Sequence, residues 1–127
     1  MSKLADILYS IQKRPPLWFG RAGTIRDISA FITGFQHGQS DSSDEFSFEY
    51  FTRWVAAHYR VEDGPMGSFT LILEHVGGDE HRAFEEFFRL LPLYERDLAE
   101  LGGAEIHAHY GRVMAEIRHE GGQREGA

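Results

Sequence analysis

Apolar side chains recur every three or four residues through most of this chain, and this spacing restricts its fold more than any other feature. In the first segment they stand at Leu4, Ile7, Leu8 and Ile11. The pattern resumes from Ile25. Because an α-helix completes a turn in about 3.6 residues, such positions share one face of a helix. The sequence therefore predicts a series of amphipathic helices.

Residues that favour the start of a helix precede several of these segments. Thr24 and Asp27 have the spacing of a capping box, with aspartate in place of the more usual glutamate or glutamine. Asp79 stands before a long apolar-periodic segment and is predicted to be its N-cap. The run 68–76 is rich in residues that suit a strand, but its apolar spacing favours a short helix that ends at Gly77.

Prolines and glycines predict where helices end or bend. Because a proline disfavours the α region for the residue before it, the first helix should end before Pro15, and residues 14–20 should form an extended connector. Pro92 lies inside the long segment after Asp79, where a proline removes one hydrogen bond of the helical ladder. We expect that helix to bend or to divide in two. Residues 121–127 are expected to fray.

Length and composition complete the prediction of the fold. The chain has 127 residues, ten phenylalanines and no cysteine. This length suits one domain with one hydrophobic core, and the absence of cysteine excludes disulfides as a source of its stability. We predict an all-α fold, a compact single-domain bundle of about five to seven helices with a Phe-rich core, spanning residues 1–120.

Charge is distributed unevenly along the chain. Residues 1–40 carry five Lys or Arg and two Asp, a net charge of +3, whereas residues 41–127 carry eight Arg and 18 Asp or Glu, a net charge of −10. The total of −7 opposes direct binding to nucleic acid or to anionic lipid, because both attract cations. Apolar runs such as residues 71–73 are far too short to span a membrane. We expect a soluble protein of the cytoplasm, where the absence of cysteine fits the reducing conditions.

The sequence offers little catalytic chemistry. It contains no nucleophile elbow, nucleotide-binding loop or dinucleotide-binding glycine pattern. His75 and His81 flank a Gly-Gly break and could form a metal site with Asp79 or Glu80, but surface histidines near a helix start are the simpler interpretation. We therefore predict no catalytic residue, no metal and no cofactor.

Three other histidines stand at positions that favour neither a metal site nor catalysis. His107 and His109 lie two residues apart, so a helix directs them to opposite sides, whereas two metal ligands on one helical face need a spacing of four. His58 stands among aromatic residues and is interpreted as a hydrogen-bonded residue at the edge of the core.

Trp18 and Phe19 form an aromatic pair in the connector, and two interpretations of this pair stay open. The pair could clamp the connection between the first two helices onto the core, which is the more common role of such residues. Alternatively, one ring could be exposed as the anchor for a partner.

The order of four segments carries a family resemblance. They are RPPLWFG at 14–20, ISAFITGF at 28–35, FEYFTRWV at 48–55 and GDEHRAFEEFF at 78–88. Over roughly residues 4–96 the chain resembles a widespread group of small, poorly characterised bacterial proteins, some of which resemble immunity proteins that neutralise a neighbouring toxin. The shared residues are mainly core and turn residues, and Pro16 stands where we expect glycine in that group.

The resemblance implies a protective protein that binds a cognate toxin and keeps it from its substrate. Toxins that act on nucleic acid or nucleotides usually have basic clefts, which an acidic surface attracts. The candidate partner-binding residues are the acidic Asp41, Asp44, Glu45, Glu49, Asp79 and Glu80 and the aromatic Trp18 and Tyr50. Two alternatives stay open: a small helical metal-dependent hydrolase that uses His75 and His81, and a non-catalytic regulatory adaptor whose acidic surface keeps it soluble.

Overall fold

The computed structural model describes residues 3–38, 48–62 and 67–125, and within these ranges the chain forms helices and no strand. The helices are α1 (Lys3–Lys13), α2 (Pro15–Phe19), α3 (Ile25–Gly38), α4 (Phe48–Tyr59), α5 (Ser68–His75), α6 (Glu80–Leu101) and α7 (Gly103–Glu125). The largest buried side chains among the described residues include several aromatic ones. The prediction of an all-α fold with five to seven helices and a Phe-rich core is confirmed. None of the described helices is long and apolar enough to cross a membrane.

The contacts between residues divide the chain into two compact units. Unit 1 comprises Met1–Ser47 and Ile72–Leu90, and unit 2 comprises Phe48–Leu71 and Leu91–Ala127. Helix α6 therefore contributes its first half to unit 1 and its second half to unit 2. The single domain expected over residues 1–120 stays a prediction.

In unit 1, the first two helices meet at a pair of prolines. The extended connector predicted for residues 14–20 is wrong, because Pro15–Phe19 form the short helix α2. A proline fits the first turn of a helix, where its missing N–H would have no intrahelical partner. The preceding residue, Arg14, has the non-helical angles φ −143° and ψ 67°, as the proline rule requires. Gly20 then ends α2 in the left-handed region and donates its backbone N–H to the carbonyl of Pro16 at 2.8 Å.

The predicted capping box begins α3. The backbone N–H of Thr24 donates to Oδ2 of Asp27 at 3.0 Å, and the backbone N–H of Asp27 donates to Oγ1 of Thr24 at 3.3 Å. These two bonds satisfy donors that the first turn of a helix leaves without intrahelical partners. The helix buries Ile25, Ile28 and Ile32, the face that the apolar spacing predicted.

Helices α5 and α6 also begin or end as the sequence predicted. Residues 68–75 are helical rather than a strand, and Gly77 follows with φ 76°. The carboxylate of Asp79 caps α6. Pro92 lies inside α6 without dividing it, so the alternative of two separate helices is wrong. An exposed proline costs one ladder hydrogen bond but leaves the flanking turns able to continue.

In unit 2, α4 packs along α7 and an aromatic cluster fills the core. The rings of Phe51, Trp54 and Tyr94 contact one another, with centroids 5.1 to 6.4 Å apart. Helix α7 continues to Glu125, and the fraying expected from residue 121 stays a prediction. A glycine inside a helix costs only about 1 kcal/mol, so the two glycines at 121 and 122 do not by themselves end a helix that is already formed.

Candidate functional site

Helix α2 exposes two large apolar side chains in succession. Leu17 is 75% exposed and Trp18 is 46% exposed. We call these two residues the α2 patch. Trp18 also packs edge-on against Phe31 of α3, with ring centroids 6.0 Å apart and ring planes at 76°. Trp18 therefore packs partly against α3, as in the first interpretation of the aromatic pair, and is partly exposed, as in the second.

The charged residues that flank the α2 patch are basic. Arg14 precedes the helix and is exposed. Arg21 follows it, and its guanidinium group pairs with the carboxylate of Asp27 at 2.5 Å while its side chain stays 64% exposed. The α2 patch thus lies in the basic part of the sequence. The acidic residues that would attract a cationic partner lie mainly in another segment, residues 41–127.

Asp79 serves the helix that it begins. Its Oδ1 accepts hydrogen bonds from the backbone N–H groups of His81 and Arg82, each at 3.0 Å. The bond from Arg82, supported by the bond from His81, lowers the pKa of the Asp79 carboxyl below its ordinary value. The residue is exposed, so it presents an ionised carboxylate to solvent as well as capping α6.

Glu80, the second acidic candidate in unit 1, is paired within the protein. Its Oε1 forms an ion pair with Nε of Arg26 in α3. Its side chain is 35% exposed, whereas that of Arg26 is 82% exposed. A cationic partner would therefore have to displace Arg26, so Glu80 is a weaker candidate than Asp79.

An open hollow lies beside the start of α2. Its volume is about 470 Å³, and its lining residues are Pro15, Pro16, Ala22, Gly23, His81, Phe84 and Glu85. The wall is built by close packing, because a Cβ on Gly23 would stand 2.7 Å from Cζ of Phe84. A ring nitrogen of His81 lies 3.1 Å from the carbonyl oxygen of Gly23, which fixes the histidine at this wall.

The remaining predicted residues lie elsewhere along the chain. Asp41, Asp44 and Glu45 fall outside the described residues. Glu49 lies in α4, but its side chain is also outside the described part. Tyr50 is half-buried and packs over Gly103, where an added Cβ would stand 2.6 Å from Cζ of the tyrosine. Its ring therefore already contributes to packing within unit 2, and as an anchor for a partner it offers less surface than Trp18.

Unit 2 contains a polar pocket that the sequence did not predict. Its volume is about 130 Å³, and its lining residues are Trp54, Ala57, His58, Asp97, Leu101, Ile106 and His109. We call it the unit 2 pocket. The indole Nε1–H of Trp54 donates to Oδ2 of Asp97 at 2.8 Å. The ring of His58 stacks on that of Trp54, with centroids 4.9 Å apart and planes at 10°.

Part of this pocket had a signal in the sequence. Trp54 and His58 are four residues apart, which places them on one face of α4. His58 proves to be exposed, although the sequence placed it at the edge of the core, and it is held there by its ring contact with Trp54. Asp97 and His109 lie far along the chain on other helices, so only the tertiary structure brings them to this face.

The other histidines do not form a metal centre in the described structure. His75 lies in the last turn of α5, and His81 lies in the first turn of α6 against Gly23. Within residues 3–38, 48–62 and 67–125, no group of three or more His, Asp or Glu side chains is arranged to hold a metal ion.

Comparisons with known proteins give no relative for this chain. No family model matches it, and no curated protein or solved structure is similar to it. The function of this chain is therefore inferred from its own residues.

Proposed function

We propose that this chain is an immunity-type protein, which binds a cognate basic toxin and neutralises it. The toxin would be an enzyme whose cationic cleft is covered or occupied by this chain. The observation that carries the proposal is the exposure of Leu17 and Trp18 side by side on α2. The function is binding, and the chain itself performs no chemistry.

The α2 patch supplies an apolar anchor. Single exposed apolar residues are normal on protein surfaces, but adjacent ones that include a tryptophan are typical of interface centres. Complete burial of a leucine side chain contributes about 1.5–3 kcal/mol of favourable free energy. Because Leu17 is 75% exposed in the free protein, most of this free energy would be gained only when a partner covers it. Elsewhere in the described part of the chain, the large exposed apolar residues are Val61 and Leu101, which stand singly.

Charge supplies attraction over a longer range. The net charge of −10 over residues 41–127 would steer a cationic protein toward this chain and raise the rate of association. Asp79 supports this role, because its carboxylate is exposed and its lowered pKa keeps it ionised at all physiological pH values. Asp41, Asp44, Glu45 and Glu49 form an acidic group in the sequence with no basic residue among them.

The test begins with the partner itself. The full chain, immobilised, should retain one protein from the cells that produce it, and that protein should carry an excess of Lys and Arg. Expressed alone, the partner should arrest growth, and expression together with this chain should restore it. A retained protein that is acidic, or whose activity is unchanged by this chain, would contradict the proposal.

Two sets of variants then separate the anchor from the steering charge. Leu17→Ser should weaken binding to the purified partner by about tenfold through faster dissociation. Val61→Ser is the control, because it also replaces an exposed apolar side chain by serine, and it should leave binding unchanged. Reversal of Asp41, Asp44 and Glu45 to Lys should slow association and flatten its dependence on salt. If the triple reversal leaves the kinetics unchanged, those three residues are not part of the interface.

A further inference from the structure

The unit 2 pocket combines one carboxylate, two imidazoles and an apolar wall. One oxygen of Asp97 accepts the indole N–H of Trp54, and the side chain remains 31% exposed. His58 and His109 line the same cavity and are exposed. Ala57 and Ile106 supply buried apolar surface. The pocket therefore presents acceptors for a cation around an apolar floor.

The charges around the pocket favour a cation over an anion. Among the lining residues, the carboxylate of Asp97 is the acidic group, and the imidazole of His109 brings further ring nitrogens to the cavity. Arg96 is a cation beside Asp97: its Nε lies 3.9 Å from Oδ1, and its side chain is 63% exposed. A contact of this length between exposed groups is weak and exchanges readily with a better donor.

The volume of the pocket limits what can enter it. A cavity of about 150 Å³ holds benzene, so about 130 Å³ holds roughly six non-hydrogen atoms. The end of an arginine side chain, from Cγ to the guanidinium nitrogens, has this size, whereas a free arginine molecule is about twice as large. The pocket thus suits the tip of a side chain whose backbone stays outside.

We propose that the unit 2 pocket binds an arginine side chain of the protein partner. Guanidinium suits the site better than ammonium, because its planar set of donors can reach the carboxylate and imidazole acceptors on different walls. It is also weakly hydrated and tolerates the apolar floor formed by Ala57 and Ile106. This inference rests on the proposed function for the nature of the partner. The preference for a guanidinium group rests on the lining residues of the pocket alone.

The experiment uses two capped amino acids as probes and the full chain as receptor. N-acetyl-arginine methylamide carries the guanidinium group, and the corresponding citrulline compound replaces it by a neutral urea group of nearly the same shape. The measurement is made at about pH 8, well above the ordinary imidazole pKa of about 6.5. The signal of the Trp54 indole N–H in a nuclear magnetic resonance titration reports on the pocket, and that of Trp18 serves as an internal control in unit 1.

We expect the arginine probe to shift the Trp54 signal with a dissociation constant in the millimolar range and to bind about tenfold more tightly than the citrulline probe. Asp97→Asn should abolish this preference, because the amide keeps the size and an acceptor but removes the charge. Glu100→Gln removes one charge from an exposed position of the same helix and should bind as the wild type does.

Three results would overturn the inference: equal binding of the two probes, a Trp18 signal that moves together with that of Trp54, or an unchanged preference in Asp97→Asn. These results would not affect the test of the proposed function, because that test measures cell growth and the binding of variants in the α2 patch. Conversely, selective binding of the arginine probe by a chain that neutralises no partner would reject the proposed function and retain the pocket as an arginine site.

Discussion

The indole of Trp54 and the carboxylate of Asp97 are joined by a hydrogen bond of 2.8 Å between residues 43 positions apart in the sequence. The bond connects α4 to the second half of α6 within unit 2. Hydrogen bonds that a carboxylate accepts are shorter and stronger than those between neutral groups. It also orients one wall of the unit 2 pocket, since both residues line the cavity.

Loss of the indole donor should destabilise the protein. We expect Trp54→Phe to lower the free energy of unfolding by about 2–3 kcal/mol, because it removes a hydrogen bond to a charged group and part of a buried ring. Trp18→Phe is the matched control, and its effect should stay within about 0.5 kcal/mol since Trp18 is 46% exposed. Urea denaturation of both variants measures the difference. Equal losses would show that the Trp54–Asp97 bond contributes nothing specific.

Asp79 should make stability depend on pH in the acid range. Its folded-state pKa lies below the ordinary value of 3.8, so its contribution is fully present above that value and is lost as the pH falls through the lowered pKa. Asp79→Asn keeps a capping acceptor but cannot titrate, whereas Asp79→Ala removes the cap. In thermal unfolding, the alanine variant should melt below the wild type at pH 7, and the asparagine variant should lose less on acidification. A wild type and an asparagine variant with parallel acid profiles would refute this assignment.

Local chemistry explains what the sequence predicted correctly. The caps at Thr24, Asp27 and Asp79 depend on residues within three positions of each other, so their hydrogen bonds could be inferred from spacing alone. The failure at residues 14–20 has a local cause too. The conformational restriction before a proline affects only Arg14 and leaves the two prolines free to begin α2, so it does not make the whole connector extended.

The unit 2 pocket could not be predicted, because its polar groups meet only in the tertiary structure. Asp97 is one of 20 acidic residues in the chain, and nothing in its neighbourhood along the sequence indicates an indole partner in α4. For Trp18, the sequence left both burial and exposure open. A tryptophan in an otherwise apolar segment is usually buried, and only the geometry of α2 against Phe31 leaves part of its ring in solvent.

Close packing at Gly23 should make this position intolerant of any side chain. A Cβ there would stand 2.7 Å from Cζ of Phe84, so Gly23→Ala should lower the free energy of unfolding by about 1–3 kcal/mol. Gly34→Ala is the control in the same unit, because Gly34 lies in α3 with open space around it, and it should stabilise by about 0.5–1 kcal/mol. Chemical denaturation compares the two. If the smaller side chain of Phe84→Leu does not restore part of the loss in the Gly23→Ala background, the clash is not the cause.

Arg60 combines a left-handed backbone conformation with side-chain ion pairs that salt should weaken. It follows α4 with φ 54°, and its guanidinium group pairs with Glu116 at 3.0 Å and Glu120 at 3.4 Å. Arg60→Gly removes a left-handed strain of about 1 kcal/mol together with two exposed pairs worth about 0–1 kcal/mol each. We expect the variant to match the wild type at low salt and to exceed its free energy of unfolding by about 0.5–1 kcal/mol at about 1 M salt, where the pairs are screened. Arg60→Ala keeps the strain without the pairs, so it should be less stable than Arg60→Gly at every salt concentration. An alanine variant as stable as the glycine variant would show that the backbone of residue 60 carries no strain.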